Sequence, residues 1–518
     1  MSLPNIENLA QSLEENSGRF PNRTSIIYEQ LVYTYESLNE LVNKAGNAFL
    51  NLGIRKGDRV IISLLNGPEF VISFYALAKI GATAVPINYL LTKNEEKYVW
   101  EDSEASLIIT DTKKLPEFLE MTVGFVPILA ISEKEEEKIP SGTLDFWGQV
   151  KNQADSLSAC PVTQEDVVHI LYTSGTTGRP KGAMLTHYSV KYCSSLYTDN
   201  DNMGEIFSQE SRVVCALPLY HCYGQNVCLI TPLSVGATVI LVDRFNTEKV
   251  LQAITEHHAT IFAGVPTMYA YLTNGFDPGR HNLQSLKFCP SAGAALSSEI
   301  ARAFHEKTGV EIIEGYGITE ASAQAIAPPL RPDKRRHDKF GSIGIPLKNS
   351  KRKTEAKIVD ENGVELPSNK VGELAIRGDH VMKGYWKLQA ETERTIRNGW
   401  LHTGDLAKKD EDGYLYIVDR KKDMIIVGGE NVYPREIEEA LYQNEKILEA
   451  AVVGFPDEVK GEAVKAVVVL KDGLRATEKE LMDFCAQRLA KFKIPKIIEF
   501  KKELPKSATG KILRRLVK

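Results

Sequence analysis

Short apolar runs alternate with amphipathic stretches along the chain before residue 340. Apolar runs of this length are typical of buried strands, and the stretches at 38–52 and 247–258 have the spacing of helices with one apolar face. Strands and helices in turn predict an α/β fold with substantial parallel sheet. The predicted strands are residues 60–65, 167–172, 213–217, 238–242 and 310–313.

After residue 340 the pattern changes to short strand-like segments separated by turn signals. The turns are marked by Asp-Glu-Asn-Gly at 360–363, Arg-Gly at 377–378 and Asp-Gly at 412–413. This part of the chain is predicted to form a β-rich, barrel-like subdomain.

A charged stretch then precedes a new series of helices and strands, where we predict a domain boundary. Residues 1–419 would form a large N-terminal domain, 420–422 a hinge and 423–518 a small α+β C-terminal domain. From Arg420 onward there are 21 Lys/Arg and 16 Asp/Glu, a net charge of +5, and the whole chain carries −5, so the remainder carries −10. A basic lid over an acidic body fits closure over an anionic ligand, although a solvated charged surface explains the same numbers.

Length and composition indicate a globular protein with more than one core. A chain of 518 residues exceeds one ordinary core, and its small net charge argues against a nucleic-acid binder. The seven cysteines form no CxxC pair, which is typical of reduced proteins without a zinc cluster. The N-terminus has no secretory pattern, and the apolar stretch 71–91 is interrupted by Lys79 and Pro86. We therefore expect a cytoplasmic protein in which 71–91 is a buried helix passing into a strand.

The most informative string is Tyr-Thr-Ser-Gly-Thr-Thr-Gly-Arg-Pro-Lys-Gly at 172–182. Hydroxyl donors, exposed backbone N–H groups and one cation, Lys181, are what a polyphosphate needs. The spacing differs from a Walker loop, because no Gly-Lys-Ser/Thr follows and Pro180 disfavours a helix there. The loop predicts a nucleoside triphosphate site; the alternative is a surface turn.

A second string, Glu-Gly-Tyr-Gly-Ile-Thr-Glu at 314–320, follows a predicted strand. It begins like a dinucleotide fingerprint, but Glu320 occupies the place of the third glycine. Tyr316 offers an aromatic face to a base, Thr319 can donate to a phosphate and Glu320 can hold Mg²⁺. An ordinary turn between a strand and a helix is the alternative.

Three further positions are weaker signals by themselves. His221 follows an apolar run, at a strand end where ligands are often bound, but a histidine packed in the core is an equal alternative. Asp405, after Thr-Gly, can accept both ribose hydroxyls or belong to a turn. Lys511, after Ser-Ala-Thr-Gly, would lie at the tip of a turn and face developing negative charge, or be solvated.

Together, in this order, these strings resemble the acyl-activating, adenylate-forming superfamily of acyl- and aryl-CoA synthetases, firefly-type luciferases and peptide-synthetase adenylation domains. The resemblance covers essentially the whole chain. It implies that a carboxylate attacks the α-phosphorus of ATP to give an acyl-adenylate and pyrophosphate, and that a thiol then displaces AMP. Further matching strings lie at 33–38, 79–86, 341–344 and 384–386.

The resemblance also implies roles for individual residues. Lys511 would bridge the attacking carboxylate and the α-phosphate, and Lys422 would be the hinge of a mobile C-terminal domain that brings Gly428 and Gly429 to a thiol channel. The catalytic residues would be Lys511, Thr319, Glu320 and His221. The residues implied for ATP are Thr173, Ser174, Gly175, Thr176, Thr177, Gly178 and Lys181 at the β- and γ-phosphates, Thr319 at the α-phosphate, Gly315 and Tyr316 at the adenine, Asp405 and Arg420 at the ribose, and Glu320 at Mg²⁺.

The acid substrate is expected to be a medium- or long-chain fatty acid. An amino acid is disfavoured, because adenylation domains that take one use an aspartate where this chain has His221, Tyr223 and Gly224. The implied pocket consists of His221, Tyr223, Gly293, Ala294 and Ala295, and its small residues suit a straight acyl chain.

Other functions stay open at this point. An aryl acid is the second choice of substrate. Coenzyme A is preferred as the acceptor over the phosphopantetheine arm of a carrier protein. A luciferase-like oxygenase and a catalytically inactive binding or scaffold homologue are the alternatives from other classes.

Overall fold

The computed structural model describes residues 5–122, 126–132, 139–173, 179–198, 206–331, 333–339, 341–348, 354–457, 459–507 and 510–517, with the backbone alone at 5 and 6. Strands and helices alternate before residue 340 and β structure dominates from there to residue 420, which confirms the predicted α/β architecture.

A large sheet of mainly parallel strands forms the first layer of the N-terminal domain. Alternate residues of its inner strands pack on opposite faces, so that Val60 and Ile62 enter one hydrophobic cluster and Ile61 the other. Burial on both faces explains why these strands are continuously apolar. The strand order is Gly384–Tyr385, Lys181–Thr186, Val167–Thr173, Thr83–Pro86, Arg59–Ser63, Leu107–Asp111, Ile128–Ile131 and Leu144–Asp145, the first two being antiparallel to their neighbours.

A second sheet runs parallel except at one edge. Strand Arg212–Cys215 leads at its carboxyl end to Pro218. The short parallel pair Cys289–Ser291 and Ile312–Glu314 extends the sheet, because single bridges join Ile261 to Phe288 and Gly264 to Ser291. The strand order is Ile261–Phe262, Arg212–Cys215, Thr238–Leu241, Thr24–Tyr28 and the antiparallel Leu31–Thr34.

The β-rich section pairs antiparallel throughout. The strand Trp400–Lys409 lies between Gly372–Arg377 and Leu415–Arg420, and it aligns Asp405 opposite Arg420. The remaining pairings of this section place Glu355–Val359 beside Gly372–Arg377, Ile396–Arg397 beside Trp400–Lys409 and Ile326–Ala327 beside Ile345–Pro346. A separate antiparallel pair, Asn5–Ile6 and Val162–Thr163, lies near the N-terminus.

The chain beyond residue 423 has hydrophobic clusters of its own. Their buried members, among them Val452, Val468 and Leu481, all lie between residues 425 and 517. A separate core supports the predicted C-terminal domain, whose boundaries stay a prediction. Its sheet has the order Glu430–Val432, Ile425–Val427, Gly461–Leu470 and Ile447–Asp457, with Ile497–Phe500 parallel to Gly461–Leu470.

The helices cover these sheets. Helix Pro68–Ile80 ends at Gly81 in a left-handed conformation and is followed by Thr83–Pro86, as predicted for residues 71–91. In the part of the chain that the structure describes, no helix is long and apolar enough to span a bilayer. The other α-helices are Gln11–Arg19, Tyr35–Asn51, Lys93–Ser103, Leu115–Thr122, Phe146–Val150, His187–Thr198, Thr231–Ser234, Thr247–His257, Pro266–Gly275, Ser298–Thr308, Gln389–Thr395, Pro434–Tyr442 and Glu478–Ala486.

Arg514 ties the end of the chain to the strand that precedes the predicted hinge. Its guanidinium donates to Asp419 Oδ1 at 2.9 Å and to Glu438 Oε2 at 2.6 Å. Asp419 also accepts from the backbone N–H of Arg435 at 2.9 Å. These bonds hold the turn that carries Lys511 at a fixed place relative to the strand Leu415–Arg420.

We expect Arg514→Met to destabilise the C-terminal domain by about 2 kcal/mol, because it leaves the nearly buried carboxylate of Asp419 without its cation. Differential scanning calorimetry of the full chain should record a lower melting temperature than for Arg515→Met, a change at the neighbouring exposed arginine. Equal melting temperatures for the two variants would contradict the prediction.

Candidate active site

One corner of the site joins the strand Trp400–Lys409 to the turn at 315–317. The hydroxyl of Tyr316 donates to Asp405 Oδ2 at 2.6 Å, and Arg420 Nε lies 3.6 Å from Asp405 Oδ1. Burial, and then the Asp405 carboxylate, raise the pKa of Tyr316 well above its ordinary value. The structure therefore brings Tyr316, Asp405 and Arg420 together, and Asp405 lies inside a strand and not in a turn.

The turn itself requires glycine. The chain folds back on itself so closely that a Cβ on Gly317 would lie 1.3 Å from the carbonyl oxygen of Ala323, and one on Gly315 would lie 2.5 Å from the side chain of Gln324. Ala323 has a φ of 122°, a conformation that costs of order 1–3 kcal/mol and that persists where its surroundings enforce it. Strained backbone of this kind is common at functional sites.

Thr319 and Glu320 follow in a single 3₁₀ turn, Thr319–Ala321. The Tyr385 hydroxyl donates to Glu320 Oε1 at 2.8 Å, and the thiol of Cys222 donates to Thr319 Oγ1 at 3.6 Å. Thr319 and Glu320 therefore lie between the segment that carries His221 and the edge strand Gly384–Tyr385.

Thr173 and Lys181 are direct partners across the antiparallel strands that flank the loop. The Lys181 ammonium lies 2.6 Å from Glu391 Oε2 and 5.3 Å from the centre of the Tyr385 ring. The predicted phosphate-binding positions between them, Ser174, Gly175, Thr176, Thr177 and Gly178, lie outside the described residues.

His221 lies in the tight segment that joins strand Arg212–Cys215 to a π-helix, Gly224–Ile230, a rare conformation that is frequent at functional sites. A Cβ on Gly224 would lie 2.4 Å from the carbonyl oxygen of Pro218, so this approach also needs glycine. Burial, and then the charge of Lys511, lower the pKa of His221 to about 4, so its imidazole is neutral at neutral pH.

The predicted acyl-pocket residues occupy two different environments. Gly293 and Ala295 are exposed and Ala294 is half-buried, on the loop after strand Cys289–Ser291. Tyr223 is buried, and its hydroxyl donates to the carbonyl oxygen of Pro290 at 2.9 Å. Tyr223 therefore lies behind the loop and supports it from the protein interior.

Lys511 enters the site from the C-terminal domain. The backbone N–H of Ser507 donates to the carbonyl oxygen of Lys511 at 2.7 Å, and Thr267 Oγ1 of the N-terminal domain donates to the carbonyl oxygen of Gly510 at 3.0 Å. Burial, and then the positive charge of Arg420, lower the pKa of Lys511 to about 7, while Asp405 opposes the shift. The charge of Lys511 therefore acts on Arg420, Asp405 and His221 in this arrangement.

The predicted thiol-channel residues lie on an exposed hairpin, and the predicted hinge residue follows Arg420 by two positions. Gly428 and Gly429 form the exposed tip of a two-residue hairpin, and both have a positive φ, which this type of turn requires. Lys422 is exposed between the strand Leu415–Arg420 and the C-terminal sheet.

Sequence reasoning assigned no role to Tyr385, Glu391 or Cys222. All three contact predicted site residues. Tyr385 contacts Glu320 and Lys181, Glu391 contacts Lys181, and Cys222 contacts Thr319. The string at 384–386 that resembles the family contains Tyr385, so the sequence carried a signal for that residue. No sequence pattern pointed to Glu391, because 210 residues separate it from its partner Lys181.

Comparison with known proteins shows the family to which the chain belongs. The chain matches the family described as AMP-binding enzyme over residues 13–386 and the AMP-binding enzyme C-terminal domain over residues 436–511. It is 38% identical over 546 residues to the long-chain-fatty-acid–CoA ligase of Bacillus subtilis (strain 168), covering 99% of this chain and 94% of that protein. It is 35% identical over 497 residues to a feruloyl-CoA synthase of Amycolatopsis sp, covering 95% of each.

A solved structure matches the fold over the same extent. The anthranilate CoA ligase AuaEII in complex with anthranoyl-AMP superposes with a TM-score of 0.90 at 32% identity, covering 99% of this chain and 97% of that one. These matches confirm the resemblance to the adenylate-forming superfamily. The chain belongs to the AMP-binding enzyme family and is an AMP-forming acid–CoA ligase that works through an acyl-adenylate.

Proposed function

We propose that this ligase activates a medium- or long-chain fatty acid. The observation that carries the proposal is the loop at Gly293, Ala294 and Ala295, whose small side chains are exposed or half-buried and would leave an unbranched apolar chain space to pass. The relative with 38% identity is a long-chain-fatty-acid–CoA ligase, which supports the same acid class.

An aryl acid is the second candidate. The feruloyl-CoA synthase and the anthranilate CoA ligase match nearly the whole chain at 35% and 32% identity. Proteins named for aryl acids are therefore similar to this chain over nearly its whole length, which supports an aryl acid as the second candidate. Tyr223 does not point to either acid, because its hydroxyl is bound to the protein backbone.

In the adenylation step the residues would act mainly through charge and hydrogen bonding. Asp405 and Arg420 would hold the ribose, Thr319 the α-phosphate, and Lys511 the oxygens that gain charge as the carboxylate attacks the α-phosphorus. Burial and Arg420 lower the pKa of Lys511 to about 7, so its charged form is disfavoured in the free enzyme. Bound phosphates would add negative charge beside the ammonium and favour that form.

Magnesium fits one protein carboxylate at this site. Within the described residues no group of three or more His, Cys, Asp and Glu side chains could hold a metal. Mg²⁺ commonly keeps several waters and binds one carboxylate together with substrate phosphates, so Glu320, oriented by Tyr385, would suffice. When bound, the ion would neutralise phosphate charge.

We further propose that the C-terminal domain turns about Lys422 between the two half-reactions. The arrangement with Lys511 beside Asp405 would serve adenylation. After rotation Lys511 would leave, and the hairpin at Gly428 and Gly429 would reach the channel by which the CoA thiol arrives. The exposed position of that hairpin is compatible with such a movement.

The acid class can be tested by pyrophosphate release with a panel of acids. We expect the highest kcat/KM for straight-chain acids of medium to long length, and CoA-dependent AMP formation with the same acids. A preference for ferulate or anthranilate would transfer the proposal to aryl acids. AMP formation with an acyl carrier protein but not with CoA would contradict CoA as the acceptor, and no release with any acid would indicate an inactive homologue.

Lys511→Ala should reduce pyrophosphate release by a factor of about 100 to 1,000, the typical cost of removing one group that stabilises transition-state charge. Thioester formation from preformed acyl-adenylate and CoA should stay close to that of the unmodified protein. Lys502→Ala, at an exposed lysine near the same end of the chain, is the matched control. Equal losses in both half-reactions for Lys511→Ala would contradict the two-orientation proposal.

The pH dependence of adenylation should report the lowered pKa of Lys511. The protonated form is present below pH about 7 in the free enzyme and is lost above it, so kcat/KM for ATP should fall as the pH rises through that value. Lys511→Arg retains a cation at every accessible pH, so this variant should be slower but should lack the alkaline fall. An unchanged fall in the arginine variant would assign the titration to another group.

A further inference from the structure

The edge strand Gly384–Tyr385 places the short helix Gln389–Thr395 beside Lys181. This strand pairs with Lys181–Thr186, matching Ala183 with Tyr385, and the N–H of Trp386 bonds to the carbonyl oxygen of Gly182 at 2.8 Å. The register therefore fixes the backbone of Tyr385 close to that of Lys181.

Thr392 joins the helix Gln389–Thr395 to the same strand by a hydrogen bond. Its hydroxyl accepts from the N–H of Tyr385 at 2.9 Å, and Gly384 has no room for a Cβ, which would lie 2.7 Å from the Thr392 side chain. Glu391 precedes Thr392 and is held by these contacts next to Lys181. The ion pair between Lys181 and Glu391 is thus produced by the packing of the helix.

The two oxygens of Glu391 have different partners. Oε2 lies 2.6 Å from the Lys181 ammonium, whose side chain is largely buried, and Oε1 accepts from Arg394 on the exposed side of the helix. The hydrogen bond from Lys181 holds the pKa of Glu391 below its usual value, so this carboxylate is ionised at neutral pH. Arg394 leaves Glu391 with a cation even when Lys181 takes another partner.

The geometry points to Glu391 as a positioning residue that holds Lys181 until the β- and γ-phosphates of ATP replace its carboxylate, and that takes Lys181 back as pyrophosphate leaves. This inference rests on the proposed function, in which Lys181 contacts those phosphates. Glu391 competes for the cation and repels phosphate at short range, so it weakens the binding of ATP and pyrophosphate. AMP lacks both phosphates and is not affected.

The test is the affinity of Glu391→Gln for three ligands, measured by isothermal titration calorimetry on the full chain with excess Mg²⁺ and without acid. Glutamine keeps the shape of the side chain and removes its charge. A partly exposed ion pair of this kind contributes up to roughly 1 kcal/mol, so ATP and pyrophosphate should bind about three- to fivefold more tightly. The affinity for AMP should not change.

Glu393→Gln is the matched control, because Glu393 lies on the same helix and bonds to Gln389. Its affinities for ATP, pyrophosphate and AMP should equal those of the unmodified protein. Unchanged or weaker binding of ATP by Glu391→Gln would overturn the inference, as would an equal gain with AMP or in the Glu393 variant.

Lys181→Ala separates this inference from the proposed function. If this variant binds ATP more weakly and Glu391→Gln is unchanged, Lys181 contacts the phosphates and the role of Glu391 is wrong. If neither variant changes ATP binding, the phosphate contact of Lys181 is itself wrong, and the inference fails with it.

Discussion

The proposed adenylation chemistry depends on two basic side chains, Lys511 and Arg420, that lie near the carboxylate of Asp405. Arg420 is 3.6 Å from Asp405, and both burial and Arg420 disfavour the charged form of Lys511. In the proposed function a bound phosphate would supply negative charge that favours the protonated form of Lys511. Because a cation away from water interacts more strongly with an arriving anion, the burial of Lys511 would strengthen its proposed attraction for the reacting phosphate.

This arrangement exists because the C-terminal domain is docked in one orientation. The contacts that dock it are modest: Thr267 bonds to Gly510 at 3.0 Å, Lys506 bonds to the Tyr271 hydroxyl at 3.1 Å, and Arg435 lies 3.7 Å from Glu314. Polar contacts of this kind are typical of domain interfaces that open and close. The carboxylate of Glu314 and the guanidinium of Arg435 are both nearly buried, so when they separate their hydration by water offsets part of the attraction that is lost.

Much of the fold follows from local patterns in the sequence. Residues 167–172 and 238–242 are apolar because both faces of their sheets are covered, and the structure places strands at Val167–Thr173 and Thr238–Leu241. The strand predicted at 310–313 begins later, at Ile312, because Gly309 ends the preceding helix in a left-handed conformation and the chain needs two more residues to enter the sheet.

The site was only partly predictable, for a physical reason. Thr319 belongs to a string whose residue types suit a nucleotide, whereas Asp405 and Lys511 were weak signals alone and gained weight only from the order of all the strings along the chain. The contacts of Glu391 with Lys181 and of Tyr385 with Glu320 arise from strand pairing between distant parts of the chain, and no local pattern encodes that pairing. Likewise, the closure of Gly317 on Ala323 is visible only once the turn is folded.

The two halves of the site also constrain substrates to different degrees. The nucleotide side is built from charges and hydrogen bonds at fixed distances, so replacing one group there leaves its partner unpaired at a cost of about 1–3 kcal/mol. The loop at Gly293, Ala294 and Ala295 offers mainly small side chains and space. An apolar pocket discriminates by only about 1–3 kcal/mol per methylene, and a few substitutions reshape it. We propose that relatives named for aliphatic and aromatic acids share one kind of nucleotide site and differ where the acid binds.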